Sequence, residues 1–309
     1  MKPHAITSRQ IEDAAKILRD GGVVALPTET VYGLAARADD ADAVAKIFAA
    51  KSRPAINPLI CHVASLQMAK KLVEFSPMAE RLADVFWPGA LTLVLPKNGK
   101  KVAVAVSAGL DTLAVRLPAH TGMRAIIEAV GAPLAAPSAN RSGRMSPTRA
   151  EHVSRDMDGL IDMIIDGGPT QFGLESTVLS VRDNLVTLLR HGAIAREEIE
   201  AVLGFEISTV TTSKTPQSPG QLLRHYAPKT TLVLNSTNGE VRLGFGTSGN
   251  LDLSPSRDLL EAATNLFAML EELDHLGASE IHIAPIPSQG VGVAINDRLT
   301  RAAASVSKS

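Results

Sequence analysis

Short apolar runs recur along this 309-residue chain with amphipathic helical patterns between them. No other feature of the sequence constrains the fold as much. Val23–Leu26, Leu59–Val63, Thr92–Leu95, Leu113–Leu117, Leu134–Ala136, Met163–Ile165, Val178–Val181 and Val186–Leu189 read as strands. A helix is predicted from Ser8, where Thr7 and Gln10 form a capping box and Ile11, Ala14, Ala15 and Leu18 line one stripe. Gly21-Gly22 stop it. A second helix runs from Asp40 to Lys51 with Ala43, Val44, Ile47 and Phe48 inward. Two more are predicted over 65–74 and 77–86, the last ending before Trp87-Pro88-Gly89. Strands alternating with helices predict an α/β sheet with helices packed on it. Aromatic residues make up only 3%, so the core must be built from Ala, Val, Leu and Ile.

The composition shifts after Phe205. Ser208–Gly220 is polar and breaker-rich, buries little and reads as a linker. Beyond it a second α/β unit is predicted. Its strands are Thr231–Leu234, Val241–Phe245 and Ile281–Ala284, with a long helix through Leu259–Leu273 opened by Ser254-Pro255 and another from Ala294 to Ala304. The expected division is 1–205, a linker over 206–229, and 230–309. Gly244–Gly249 matches G-x-G-x-x-G after a strand, but Asn250–Leu253 reads as more loop, so a plain tight loop is favoured.

Several function classes recede at this point. A formal net charge of −1 gives no global attraction to nucleic acid or an anionic membrane. One cysteine permits no internal disulfide, and its apolar run Leu59–Val63 marks Cys61 as a buried structural thiol. Met1–Ser8 lacks an apolar core, so no signal peptide is expected, and no run of about 18 apolar residues predicts a membrane span. The expected location is cytoplasmic. There is no Walker loop and no H-E-x-x-H, and the eight histidines show no metal-ligand spacing.

Two stretches carry the chemistry most plainly. Thr28-Glu29-Thr30 follows a strand, and ligands of open α/β sheets bind beyond strand ends. Lys51-Ser52-Arg53 closes a helix, with Pro54 and Pro58 stiffening the segment around Asn57, which suits a phosphate chain. His62 lies within a strand and alternates against Cys61. Thr112 and Arg116 share a strand face by period two, and a buried Arg116 requires a carboxylate from protein or ligand. Pro137–Gly143 follows Leu134–Ala136 as an anion nest, with Ser146-Pro147-Thr148 opening a helix after it. Glu175-Ser176-Thr177 precedes one strand, and Arg190-His191-Gly192 closes the next. Five strand edges with hydroxyls or arginines predict one shared cup. A non-catalytic RNA-binding surface built on Lys51, Arg53, Arg141, Arg144, Arg149 and Arg190 is the alternative. The near-zero net charge and the few aromatics for base stacking oppose it.

Taken in order, Pro27–Leu34, Lys51–Leu59, Pro137–Asn140, Glu175–Val178 and Arg190–Gly192 resemble the L-threonylcarbamoyl-AMP synthase family. Ser218–Gln221 and His225–Pro228 match the linker of its long form, which has an extra C-terminal domain. The resemblance covers nearly the whole chain. It implies a YrdC-like twisted mixed sheet with helices forming a concave site, followed by a smaller Rossmann-like α/β domain. It implies condensation of L-threonine, bicarbonate and ATP to threonylcarbamoyl-adenylate and pyrophosphate, and transfer of the product to tRNA, next to the anticodon, by a threonylcarbamoyl-transferase complex. Carried over, Lys51 and Arg53 are the catalytic pair. ATP falls to Lys51, Arg53, Asn57, Thr112, Ser138, Asn140, Ser146, Arg190 and Tyr226. Threonine falls to Thr30, His62, Arg116, Ala136 (through its backbone) and Ser176. Tyr226 is expected to reach the nucleotide from the linker, which would then gate the site. Mg²⁺ is expected on the phosphates without a protein motif of its own. A carbamoyl-transfer enzyme sharing the domain would need zinc-finger and acylphosphatase-like regions, and no such regions are visible in the sequence.

Overall fold

The structure is a computed structural model and describes residues 4–183, 185–210 and 226–306. Apolar alternation produces two sheets. The first contains β1 (Val24–Leu26), β2 (Gly33–Arg37), β3 (Ile60–His62), β4 (Leu91–Pro96), β5 (Thr112–Arg116), β6 (Leu134–Ala135), β7 (Met163–Ile164), β8 (Thr177–Arg182), β9 (Leu185–Arg190) and β10 (Ser208–Thr209). Their spatial order is β10-β9-β8-β4-β5-β3-β6-β2-β1-β7. Pairs β1–β7, β3–β5, β4–β8 and β9–β10 are parallel. The sheet is therefore mixed, and helices connect most of its strands.

Period two divides each strand between layers. Ala25, Leu34, Ala36, Cys61, Leu93 and Val115 enter one core under the helices Ala41–Lys51 and Pro77–Phe86. Val24, Leu26, Ala35 and Leu134 enter another under Ser8–Arg19 and Thr121–Val130. Ile60, Val94, Ala114 and Val178 form a small third cluster, met by Val210 rather than by a helix. That thinly covered face of β3, β4, β5 and β8 is where the polar side chains gather.

The second sheet contains β11 (Thr231–Leu234), β12 (Arg242–Gly244), β13 (Leu251–Asp252) and β14 (Glu280–Ile283), all parallel, in the order β11-β14-β12-β13. Helices Leu259–Asp274 and Gly292–Val306 bury Leu266, Phe267, Leu270 and Ile295 with Leu232, Leu243, Phe245 and Ile283. Leu174 and Tyr226 join this core.

Four local expectations change. Strand β2 was not predicted: Gly33–Arg37 is a Gly/Ala-rich run with weak β propensity, and it forms through pairing with β1 and β6. The long helix is opened by Asp258, whose side chain accepts from Leu260 and Glu261, and not by Ser254-Pro255. Leu251–Asp252 is a strand, and the Asp252 carboxylate accepts from the N–H groups of Gly246, Thr247 and Ser254. The glycine-rich loop is thus closed on itself, as a plain tight loop. The helix after Pro147 starts at Ala150, with Arg149 as its cap. In addition, β10 extends the first sheet into the range assigned to the linker. Ser218–Gln221 and His225 lie outside the described residues.

Candidate active site

Backbone hydrogen bonds bring distant motifs together. Leu34 N donates to Pro137 O, Tyr32 N to Pro147 O, and Ala139 N to Tyr32 O. The segment after β1 is thereby joined to the loop after β6. Thr28 holds its own turn: its hydroxyl donates to Val31 O and accepts from the N–H of Thr30 and Val31. The resulting cleft is lined by Thr28, Thr30, Arg53, His62, Arg116, Ser138, Ser176 and Arg190, with Glu175 and the backbone of Ala136 and Pro137 completing its wall. The five predicted strand edges do converge.

Arg116 has the carboxylate its burial demanded, and the carboxylate is Glu29. Arg116 Nη2 donates to Glu29 Oε1 at 2.7 Å, Nη1 to Thr30 Oγ1 at 2.9 Å and Nε to Gly89 O at 3.1 Å. Three of its five N–H bonds are committed, which leaves one on each terminal nitrogen for a ligand. Burial alone would raise the Glu29 pKa, but the Arg116 charge and hydrogen bonds outweigh it and hold that pKa below the ordinary value. His62, paired in register with Arg116, is 3% exposed. Burial, reinforced by the Arg116 charge, lowers its pKa to about 3, so the imidazole is neutral. Its Nδ1 is buried without a hydrogen-bond partner among the described residues.

The opposite end is cationic. Arg53 donates through Nε to Asn57 O and through Nη2 to Pro58 O. Burial and then repulsion from Arg190 lower its pKa to about 10. Arg190 donates to Ser176 O and to Ser176 Oγ, and Ser176 shares a 2.7 Å hydrogen bond with Thr92. Ser146 Oγ donates to Glu175 Oε1 at 2.5 Å. Gly192 permits the close approach of these strand ends, because a Cβ there would lie 2.4 Å from the Ser176–Thr177 backbone.

Other predicted residues fall outside the cleft lining. Lys51 Nζ is fully buried, donating to Ser138 O at 2.6 Å and to Asn140 O. The loop is also held against the helix end, where Ser142 N donates to Lys51 O and a left-handed Ser52 closes helix Ala41–Lys51. Burial, then Arg53, keeps the Lys51 pKa well below its ordinary value. In this geometry Lys51 fixes the loop and does not point a charge into the cleft. Asn140 spends Nδ2 on the carbonyls of Arg141 and Arg144. Thr112 sits at the start of β5, the far end from Arg116. Tyr226 is stacked on Phe267 with ring centroids 5.5 Å apart, inside the second core. Glu29 and Glu175, both buried, stood inside the motifs read from the sequence but were given no role there. The demand of Arg116 for a counter-charge was the available signal for Glu29.

The basic surface proposed for RNA is partly neutralised, with Arg144 on Asp156 and Arg149 on Glu151. A larger hollow lies elsewhere, lined by Arg144, His152, Lys229 and Glu271. Two of its cations are already paired, Arg144 with Asp156 and Arg155 with Glu271, and the converging hydroxyls and arginines place the chemistry in the smaller cleft. No helix among the described residues is long and apolar enough to cross a membrane.

Comparison with known proteins fits this geometry. Residues 16–192 match the family described as Telomere recombination, and residues 194–304 match the Threonylcarbamoyl-AMP synthase C-terminal domain. The chain is 42% identical to the threonylcarbamoyl-AMP synthase of Bacillus subtilis, over 95% of this chain and 93% of that protein. It is equally identical to that of Pyrococcus abyssi, over 95% and 94%. A crystal structure of P. abyssi Sua5 complexed with L-threonine superposes with a TM-score of 0.91, covering 98% of this chain and 96% of that one at 39% identity.

Proposed function

The chain belongs to the threonylcarbamoyl-AMP synthase family and makes threonylcarbamoyl-AMP, and we propose that the two ends of its cleft divide the substrates. The observation that carries this reading is charge. Two buried guanidiniums, Arg53 and Arg190, repel each other at one end of the cleft, an arrangement that an anion relieves. The other end has a neutral acceptor, His62, and a cation with two N–H bonds to spare, Arg116. The first end suits the phosphates of ATP, with Ser138, Ser146 and Asn57 beside them. The second suits an amino acid that carries a carboxylate and a hydroxyl, held by Arg116, Thr30, His62, Ser176 and the Ala136 backbone.

The chemistry follows from that placement. Threonine's amine, once neutral, attacks the carbon of bicarbonate-derived CO2 and forms a carbamate, the proton it loses and the hydroxide released from bicarbonate leaving together as water. A carbamate oxygen then attacks the α-phosphorus of ATP, the bond from that phosphorus to the bridging oxygen breaks, and pyrophosphate leaves. No protein nucleophile is required, so the protein contributes positioning and charge stabilisation. Arg53 stabilises the phosphate charge, and Lys51 acts through the loop it holds. Among the described residues no group of three or more His, Cys, Asp or Glu side chains could hold a metal. We place Mg²⁺ on the ATP phosphates, as the resemblance implies, and no step here is routed through it. The product is an activated carbamoyl donor for a tRNA threonylcarbamoyl-transferase. The test is a mass spectrum of the product from ATP, bicarbonate and threonine. Pyrophosphate should appear only when threonine and bicarbonate are both present, and release independent of threonine would overturn the reading.

A further inference from the structure

The largest fully buried side chain among the described residues is a cation. Arg298, on helix Gly292–Val306, is 1% exposed. Its Nε donates to Glu175 Oε2 at 3.0 Å, Nη2 to His191 O at 2.8 Å and Nη1 to Asp297 Oδ2 at 2.8 Å. The guanidinium lies over the Tyr226 ring, 5.1 Å from its centroid. Arg298 does not line the cleft, yet both strand ends it touches do: Glu175 precedes Ser176, and His191 follows Arg190. The other oxygen of Glu175 accepts from Ser146.

Independent contacts tie the same loop to the second half. Leu174 is a member of the second core. Gly173 has φ +67°, and a Cβ there would lie 2.5 Å from the carbonyls of Ala263 and Thr264. Thr264 Oγ1 donates to Gln171 O at 2.9 Å. In the other direction, Phe172 N donates to Glu29 O, which connects the loop to the threonine end.

From these contacts we infer that Arg298 is a positioning residue for the nucleotide end of the cleft. It holds Glu175, and thereby Ser146, together with the Arg190 turn. The second half contributes to catalysis through this guanidinium without touching substrate. The inference rests on the assignment of Ser146 and Arg190 to ATP. The physical reason is competition for a charge. Deprived of Arg298, the buried Glu175 carboxylate loses the cation held on its Oε2, and the neighbouring Arg190, whose charge already acts on it, is drawn from Ser176.

The experiment uses the full chain, varying ATP at saturating threonine and bicarbonate and then threonine at saturating ATP. Arg298→Met should raise the KM for ATP by about tenfold or more and the KM for threonine by less than about threefold. Arg298→Lys keeps the charge without the fork and should fall between the two. ATP titration by calorimetry should show the same weakening without turnover. Arg298→Met combined with Glu175→Gln removes both charges. It should recover part of the loss but stay above the wild-type KM, because His191 O loses its donor. This double variant also serves if Arg298→Met fails to fold. A folded Arg298→Met with unchanged KM for ATP, equal changes in both KM values, or a wild-type KM in the double variant would each overturn the inference. Wild-type protein that makes no threonylcarbamoyl-AMP would instead defeat the functional reading.

Discussion

Two buried arginine–glutamate pairs flank the cleft, and they are built differently. Arg116–Glu29 lies wholly within the first half, between β5 and the loop after β1, and its cation lines the cleft with N–H bonds to spare. Arg298–Glu175 joins the two halves, and there the carboxylate reaches the cleft while the cation stays behind it. The threonine end is therefore built mostly within the first half and shares only Ser176 with the turn that Arg298 braces, whereas the nucleotide end depends on both halves. That difference lets the second half influence ATP more strongly than the amino-acid pocket.

The strongest way to break the comparison is to remove Arg116. Arg116→Met leaves Glu29 buried and unpaired, which should cost about 3–5 kcal/mol of stability in a denaturant melt. Threonine-dependent pyrophosphate release should vanish with it. Adding Glu29→Gln should restore most of the stability and none of the activity. If activity returned as well, Arg116 would be scaffold alone and the two pairs would be equivalent.

Arg53→Ala comes next. Arg53 donates to carbonyls and forms no ion pair with a protein carboxylate among the described residues, so its loss strands no buried acid. About 3 kcal/mol should be lost from kcat/KM, the scale of one preorganised charge contact, with only a modest shift in the melt. Steady-state kinetics beside a denaturant curve separate the two effects. Wild-type kcat/KM in this variant would remove the nucleotide end from its assigned place.

These contrasts also mark what could be read from the sequence. The helix from Ser8 and most strands were legible because apolar period and caps are local signals. The hydroxyl and arginine positions of the cleft were legible as strand-end motifs. Strand β2 was hidden because Gly33–Arg37 is held by its neighbours and not by its own propensity. The placement of Lys51 was hidden too. A helix-terminal lysine beside an arginine looks the same in sequence whether it meets phosphate or, as here, two carbonyls of a loop 87 and 89 residues away. Glu175 and Arg298 are 123 positions apart, and no local pattern predicts that they meet.

The two regions should also respond differently to acid. His62 sits on the threonine end, and its pKa of about 3 is set by burial. His152 lies by the seam between the halves with Glu271, and burial likewise lowers its pKa to about 4. Both are depressed, so the unfolded chain binds protons that the folded chain refuses. Stability is full above the unfolded value near 6.5 and falls as pH drops below it, by about 1.4 kcal/mol per pH unit for each histidine. Burial raises the Glu271 pKa, so between the ordinary 4.5 and that raised value this carboxyl works in the opposite sense. His152→Asn should reduce the slope between pH 6 and 5 in denaturant melts by about 1 kcal/mol per pH unit, leaving the share of His62 and of His120 and His191, whose pKa values burial also lowers. An unchanged slope would mean that the seam does not contribute.

The smallest expected effect tests the threonine end alone. Serine keeps the carboxylate for Arg116 and the hydroxyl for His62, whose Nδ1 lacks a partner among the described residues. It lacks only a methyl group, and a hydrophobic contact of that size is worth roughly 1–3 kcal/mol, about 10–200-fold in kcat/KM. The analogue 2-aminobutyrate keeps the methyl and lacks the hydroxyl, so it would leave the His62 acceptor buried and unsatisfied and should be rejected more strongly than serine. Competition assays with product masses distinguish the three amino acids directly. The reverse order, with 2-aminobutyrate preferred over serine, would mean that His62 shapes an apolar wall and does not read the hydroxyl. In that case the division of labour would survive at the nucleotide end and fail at the amino-acid end, because the carboxylate contact of Arg116 is common to all three substrates and cannot choose among them.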